Sequence, residues 1–137
     1  MHKFANFMAG YNLSIAMYKL VILIPLPENS QQFDDRWPEF LALAENMPGL
    51  IRESTSRVDR VLYGEYKVQI IHELYFDSLK EAANAMGSIE GEKAGNVLQE
   101  ITDGKLSLLL ADHTQDDLSN IRKHQHAPED APSGKRA

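Results

Sequence analysis

Residues 17–112 alternate in a pattern that few folds accommodate: strand, helix, strand, strand, helix, strand. Tyr18-Lys19-Leu20-Val21-Ile22-Leu23-Ile24 is aliphatic at almost every position and stops at Pro25 and Pro27, so it reads as a central strand buried on both faces. From Ser30, taken as N-cap, Phe33, Trp37, Phe40, Leu41, Ala44 and Met47 recur at steps of three and four, the spacing of a helix with one apolar stripe ended by Pro48-Gly49. Pro38 inside that stripe predicts a kink or a late helix start.

Residues 50–62 are polar for a strand, and a helix competes there, but Thr55 and Val58 favour extended backbone. A turn about Tyr63-Gly64-Glu65 would pair them with residues 66–76. Asp77-Ser78 then caps a helix through Leu79, Ala82, Ala83 and Met86, which breaks at Gly87-Ser88. A further short helix is expected from Glu90 to Ile101, a turn at Thr102-Asp103-Gly104, and a last strand over Leu106-Ser107-Leu108-Leu109-Leu110-Ala111.

A β-α-β-β-α-β order is that of the ferredoxin-like α+β fold, an antiparallel sheet with the helices packed on one face. A first strand apolar on both sides is poorly served by an open second face, and a homodimer packed sheet against sheet would cover it.

The net charge of -6 and pI near 5.3 exclude the clustered positive surface that nucleic-acid binding needs. The chain contains no cysteine, so disulfides, thiol nucleophiles and thiolate metal sites are ruled out, and a reducing compartment is consistent with that. The longest apolar run, Leu20-Val21-Ile22-Leu23-Ile24-Pro25-Leu26, is too short to span a bilayer. Asn6, Asn12 and Lys19 interrupt any signal-peptide core, which leads to a cytoplasmic reading without a membrane partner. Residues 1–16 are expected to be a flexible extension, with Met17 as an alternative start, residues 17–112 the folded domain, and residues 113–137 a short helix with a disordered tail.

Five segments in register resemble the EthD-domain family: Met17-Tyr18-Lys19-Leu20-Val21, Met47-Pro48-Gly49-Leu50, Ser56-Arg57-Val58, Glu73-Leu74-Tyr75-Phe76-Asp77-Ser78 and Ile89-Glu90-Gly91. Ala111-Asp112-His113 resembles the domain end in one branch of that family. The resemblance implies a dimeric α/β barrel with ligand pockets between sheet and helices. It also implies a link to degradation of ethers and other small organic molecules, often under the name reductase. Many of those relatives carry a histidine in the later half of the first helix, where this chain has Phe40 and Leu41. A mechanism that uses that imidazole does not transfer.

Several side chains are candidates for chemistry. If residues whose numbers sum to about 128 face each other across the hairpin, Arg57 and Glu73 become diagonal neighbours able to orient a polar ligand, or else a structural ion pair. A register one residue different would dissolve that pair. His72 alternates with Val68, Ile70, Leu74 and Phe76, so it points to the helix side, as a core histidine or as a proton carrier. His113, at the end of the last strand, is a second catalytic candidate beside Glu73, with a capping role as the alternative. Trp37, Phe40 and Tyr75 would line an apolar substrate pocket, although aromatics at helical spacing also serve as core. His124 and His126 lack a third ligand, so no metal site is expected. There is no phosphate loop, dinucleotide fingerprint or nucleophile elbow, and no built-in cofactor is expected. Together these features describe an oxidoreductase-like protein acting on a small apolar organic molecule. The alternatives are a noncatalytic binding or accessory protein and a cofactor-free isomerase or dehydratase.

Overall fold

The computed structural model describes residues 15–119. The elements run β1 (Ile15–Ile24), α1 (Ser30–Glu45), β2 (Leu50–Arg57), β3 (Ile70–Phe76), α2 (Leu79–Met86), α3 (Ile89–Thr102) and β4 (Ser107–Gln115). Met17–His113 form one compact unit. The expectations of a flexible start, a disordered tail and an idle His124/His126 pair fall outside the described residues; of the short helix expected beyond Asp116 through Ile121, residues 118–119 are helical and residues 120–121 fall outside.

The four strands form one antiparallel sheet in the order β2-β3-β1-β4, the ferredoxin-like topology that the element order predicts. β1 is an inner strand, as its aliphatic run requires. Leu20, Ile22 and Ile24 of β1 and Ile70, Leu74 and Phe76 of β3 pack against Phe33, Trp37, Phe40 and Ala44 of α1 and Val97, Leu98 and Ile101 of α3. The core therefore lies between the sheet and its helices. On the opposite face Val21, Leu23 and Ile71 are only half-buried. Among the described residues no helix is long and apolar enough to cross a membrane.

Two details of α1 differ from expectation. Its N-cap is Asn29, whose Oδ1 accepts from the Gln32 N–H at 3.0 Å, and Ser30 is the first helical residue. The helix also runs through Pro38 to Glu45, so it starts early rather than late. Phe33 and Trp37 before the proline and Phe40 and Ala44 after it are all buried, and that burial holds one continuous helix. Pro38 and Asp34 are exposed, so the Asp34 carbonyl left without a helical donor can bond water.

The break at Gly87-Ser88 is a sharp corner between α2 and α3. Ser88 Oγ accepts from the Gly91 N–H at 3.0 Å and donates to the Ala85 carbonyl at 2.6 Å, tying the start of one helix to the end of the other. At the end of α3, Asp103 (φ 56°) and Gly104 (φ 73°) take the left-handed conformation that turns the chain into β4.

The hairpin is where sequence and structure part most. β2 ends at Arg57 and β3 begins at Ile70, joined by a long loop over residues 58–69 rather than by a tight turn at Gly64. Val58 N–H bonds the Gln69 carbonyl at 2.9 Å, so facing residues sum to 127 instead of about 128. Ser54 then faces Glu73, Thr55 faces His72 and Arg57 faces Ile70. The expected Arg57–Glu73 diagonal does not form, because Arg57 and Glu73 belong to opposite faces of the sheet. A bulge at Ile51 shifts the register once more, so Leu50 lies opposite Phe76 and packs on the core while Arg52 lies opposite Tyr75.

Candidate functional site

The sheet divides the candidate residues into two groups. His72, Trp37 and Phe40 meet on the helix side, whereas Glu73, Tyr75 and His113 lie on the open face. Arg57 joins neither group and is exposed. His113 sits within β4, which continues past it to Gln115.

On the helix side, His72 is 0% exposed. The edges of Trp37 and Phe40 meet its ring at centroid distances of 5.3 and 5.6 Å. Both ring nitrogens are engaged by β2: Nδ1 lies 2.8 Å from Thr55 Oγ1 and Nε2 lies 2.9 Å from Glu53 Oε2. Neither partner stood out in the sequence. Glu53 and Thr55 alternate on a strand too polar to announce a buried face, and only the register of 127 points them at His72.

Burial holds the His72 imidazole down, to about 4 against an ordinary 6.5, with Glu73 pulling weakly the other way. The Glu53 carboxyl moves oppositely. Burial and then the neighbouring Glu45 carboxyl, which also hydrogen-bonds to it, raise Glu53 from 4.5 to about 7. The 2.9 Å contact is thus a neutral hydrogen bond rather than an ion pair below pH 7. A protonated Glu53 has one hydrogen to share between Nε2 and the Glu45 carboxylate; given to Nε2, it leaves Nδ1–H to donate to Thr55 Oγ1. The Glu53 side chain keeps about 20% of its surface exposed, so a carboxyl that exchanges its proton near neutrality connects the buried imidazole with the exterior.

This pairing sets a pH profile. Between about pH 4.5 and 6.5 the unfolded chain carries one proton on these two groups, on histidine, and the folded chain also carries one, on Glu53. Their contribution to stability is flat in that window. It falls below pH 4.5, where the unfolded carboxyl protonates while folded His72 resists, and above 6.5, where the unfolded histidine is neutral while Glu53 still holds its proton up to about 7. In His72→Gln the acid limb disappears, so the wild type's stability advantage over that variant shrinks as pH falls from about 6.5 towards 4, measurable as urea midpoints across pH 4–8.

On the open face, Glu73 accepts from Lys19 Nζ at 2.7 Å, Tyr75 OH at 3.2 Å and Ser54 Oγ at 3.3 Å. Burial pushes the Glu73 carboxyl up, but the combined pull of Lys19, Tyr75 and Ser54 outweighs it and leaves Glu73 below the usual carboxylate range. It is a fixed anion, unsuited to take up protons near neutrality. Lys19, which supplies the charge expected from Arg57, comes from β1 rather than from the hairpin partner.

The fold and the motifs lead to the same relatives. An EthD family protein from Bacillus halodurans C-125 is 28% identical to this chain and superposes with a TM-score of 0.65, covering 71% of this chain and 98% of its own. The resemblance to the EthD family therefore extends from sequence motifs to the whole ferredoxin-like unit. An uncharacterized 11.0 kDa protein from the thcB-thcC intergenic region of Rhodococcus erythropolis is 25% identical over 97 residues, which is 70% of this chain and 94% of that protein. Fold alone is shared with SnoaB, a cofactor-independent oxygenase from Streptomyces nogalater, at 10% identity and a TM-score of 0.53, over 76% of this chain and 97% of the oxygenase. A dimeric ferredoxin-like protein of unknown function from Bacteroides fragilis matches likewise at 17% identity and a TM-score of 0.52, over 71% and 96% of the two chains. No protein-family model matches the chain.

Proposed function

We propose that this protein is a cytoplasmic homodimer of EthD type that binds a small, largely apolar organic molecule and moves a proton on it through Glu53, within an oxidoreductase reaction that uses no built-in cofactor. The observation that carries this reading is the Glu53–His72 pair: a partly exposed carboxyl bonded at 2.9 Å to a fully buried imidazole. His72 never meets the substrate. It holds the Glu53 proton in place, and Thr55 Oγ1, 2.8 Å from Nδ1, holds the ring from the other side. Trp37 and Phe40 wall the His72 ring off from water, and Phe40 or Leu41 stands where many relatives carry a helix histidine. Proton abstraction next to a carbonyl or phenol is a step that oxygenation and isomerisation share, and a carboxyl exchanging near pH 7 is matched to it. The dimeric state follows the half-buried Val21, Leu23 and Ile71 of the open face, and the dimeric relatives agree with it.

A panel of small ethers, phenols and ketones, offered with oxygen or with reduced nicotinamide, tests the reading, and native mass spectrometry counts the subunits. Glu53→Gln is expected to lower kcat at least about 100-fold on any substrate the panel finds, the lower end of general acid–base contributions. His72→Gln is expected to move the pH limb assigned to Glu53. Turnover equal to wild type in Glu53→Gln would remove the proposed role.

A further inference from the structure

Glu45 stands where a carboxylate is least favourable. It is the last residue of α1, exposed, at the negative end of a helix with no basic residue in its last turn, and it is hydrogen-bonded to a second carboxyl, Glu53. Both placements cost stability. Sequences break local rules of this kind mostly where function demands it. The fold holds the two carboxyls together. Between α1 and β2 the chain reverses over residues 46–49: Asn46 Nδ2 donates to the Ala42 carbonyl at 3.0 Å, the Met47 N–H donates to the Ala44 carbonyl at 3.0 Å, Met47 is buried, and Gly49 takes φ 83°. The bulge at Ile51 then decides which face β2 presents. After core-facing Leu50 an unbroken strand would turn Arg52 and Ser54 towards the helices, but with one residue inserted Glu53 and Thr55 point there instead.

Four side chains thus form one hydrogen-bonded line from surface to core and back: exposed Glu45, partly exposed Glu53, fully buried His72 and exposed Thr55. The titratable groups about Glu53 are Glu45 from α1 and His72 from β3; Glu73 acts weakly on His72 from the open face, and Glu81 of α2 lies against Gly49 of the turn. The line has two hydrogen arrangements. With Glu53 protonated, its hydrogen given to Nε2 leaves Nδ1–H to donate to Thr55 Oγ1. Once Glu53 has lost that proton, to substrate or to water, its carboxylate accepts from Nε2–H and Nδ1 accepts from the Thr55 hydroxyl. One proton leaves, the ring hydrogen changes nitrogen, and nothing is oxidised or reduced. A negative charge on Glu45 opposes the second arrangement, which sets two carboxylates side by side.

We propose that Glu45 is a positioning residue for the Glu53–His72 pair: its carboxylate keeps the hydrogen on Glu53 and, through Glu53, sets the imidazole tautomer and the direction of the Thr55 hydroxyl. Long-range proton–nitrogen NMR of the His72 ring and the carboxyl carbon of Glu53, recorded on the full-length protein, test it without a substrate. In Glu45→Gln, where the amide can donate to an ionised Glu53, the Glu53 midpoint is expected to fall by about 1 pH unit or more. At pH 6.5 the ring is then expected to be mainly Nδ1–H in the wild type and mainly Nε2–H in the variant. Glu45→Asp, which keeps the charge on a shorter arm, is expected to lie between. At pH 8 Glu45→Gln is expected to have the higher urea midpoint, whereas loss of a merely structural hydrogen bond would lower it. The consequence for turnover rests on the proposed function: a pH limb assigned to Glu53 moves with its midpoint. Wild-type turnover in Glu53→Gln would strike that function and leave the NMR results to stand alone. A Glu53 midpoint unchanged in Glu45→Gln, or a ring that keeps Nδ1–H after Glu53 has ionised, would overturn the proposal.

Discussion

Gly91→Ala is expected to destabilise the protein by about 3 kcal/mol or more, the upper end of what overpacking costs. A Cβ on Gly91 would lie 2.1 Å from the Ala85 carbonyl oxygen and 2.9 Å from that of Met86, both main-chain atoms that no rotamer change can move. The crowding follows from the corner itself, because Ser88 draws the first turn of α3 onto the last turn of α2 through its two hydrogen bonds. Relief would require α2 and α3 to part, and Ala82, Ala85, Ala94 and Val97 to lose their packing with them. Gly95 in the same helix is the internal control. Nothing lies within 4 Å of a Cβ there, so Gly95→Ala should stabilise by about 0.5–1 kcal/mol through the unfolded chain. Urea denaturation of the two variants, differing by four positions in one helix, would show shifts of opposite sign.

Phe40→Ala is expected to cost about 3–5 kcal/mol, the range for emptying a buried aromatic site. Phe40 is 2% exposed, with its ring 5.0 Å from Trp37 and 5.6 Å from His72, so its loss opens space on both sides of the aromatic wall. A domain of this size holds only about 5–15 kcal/mol in all, and the variant is expected to melt at markedly lower temperature. A second effect distinguishes this cavity from any other. Water admitted beside His72 would relieve the burial that holds its imidazole down, and the His72 pKa should rise from about 4 towards 6.5. Phe40→Leu, which keeps most of the volume, should cost about 1 kcal/mol and leave His72 neutral.

The parts of this fold that rest on local periodicity were open to reading from the residues. The aliphatic run of β1, the apolar stripe of α1 and the break between α2 and α3 each rest on neighbours a few positions apart, and each stands where its pattern points. The side of the sheet to which His72 points follows from alternation within β3 alone, and it too could be read. Register could not. It depends on how a long loop closes and on a bulge at Ile51, and neither leaves a composition signal of its own. One residue of difference moved Thr55 from Glu73 to His72 and removed Arg57 from the site. The partners of His72 on β2 were hidden for the same reason, since a polar strand shows its buried face only once its pairing is known. Lys19 was missed because its neighbour Glu73 lies on a strand remote in sequence, 54 residues away.

The central claim is that Glu53 and His72 hold a single proton on the carboxyl. Long-range proton–nitrogen NMR of the His72 ring, followed with the Glu53 carboxyl carbon from pH 4.5 to 8, tests it directly. The account predicts an imidazole that stays neutral, as the Nδ1–H tautomer while Glu53 holds its proton, with Glu53 titrating at about 7. An imidazole that protonates near 6.5 beside a Glu53 already ionised at pH 5 would contradict it, because the proton would then sit on the buried imidazole and not on the carboxyl.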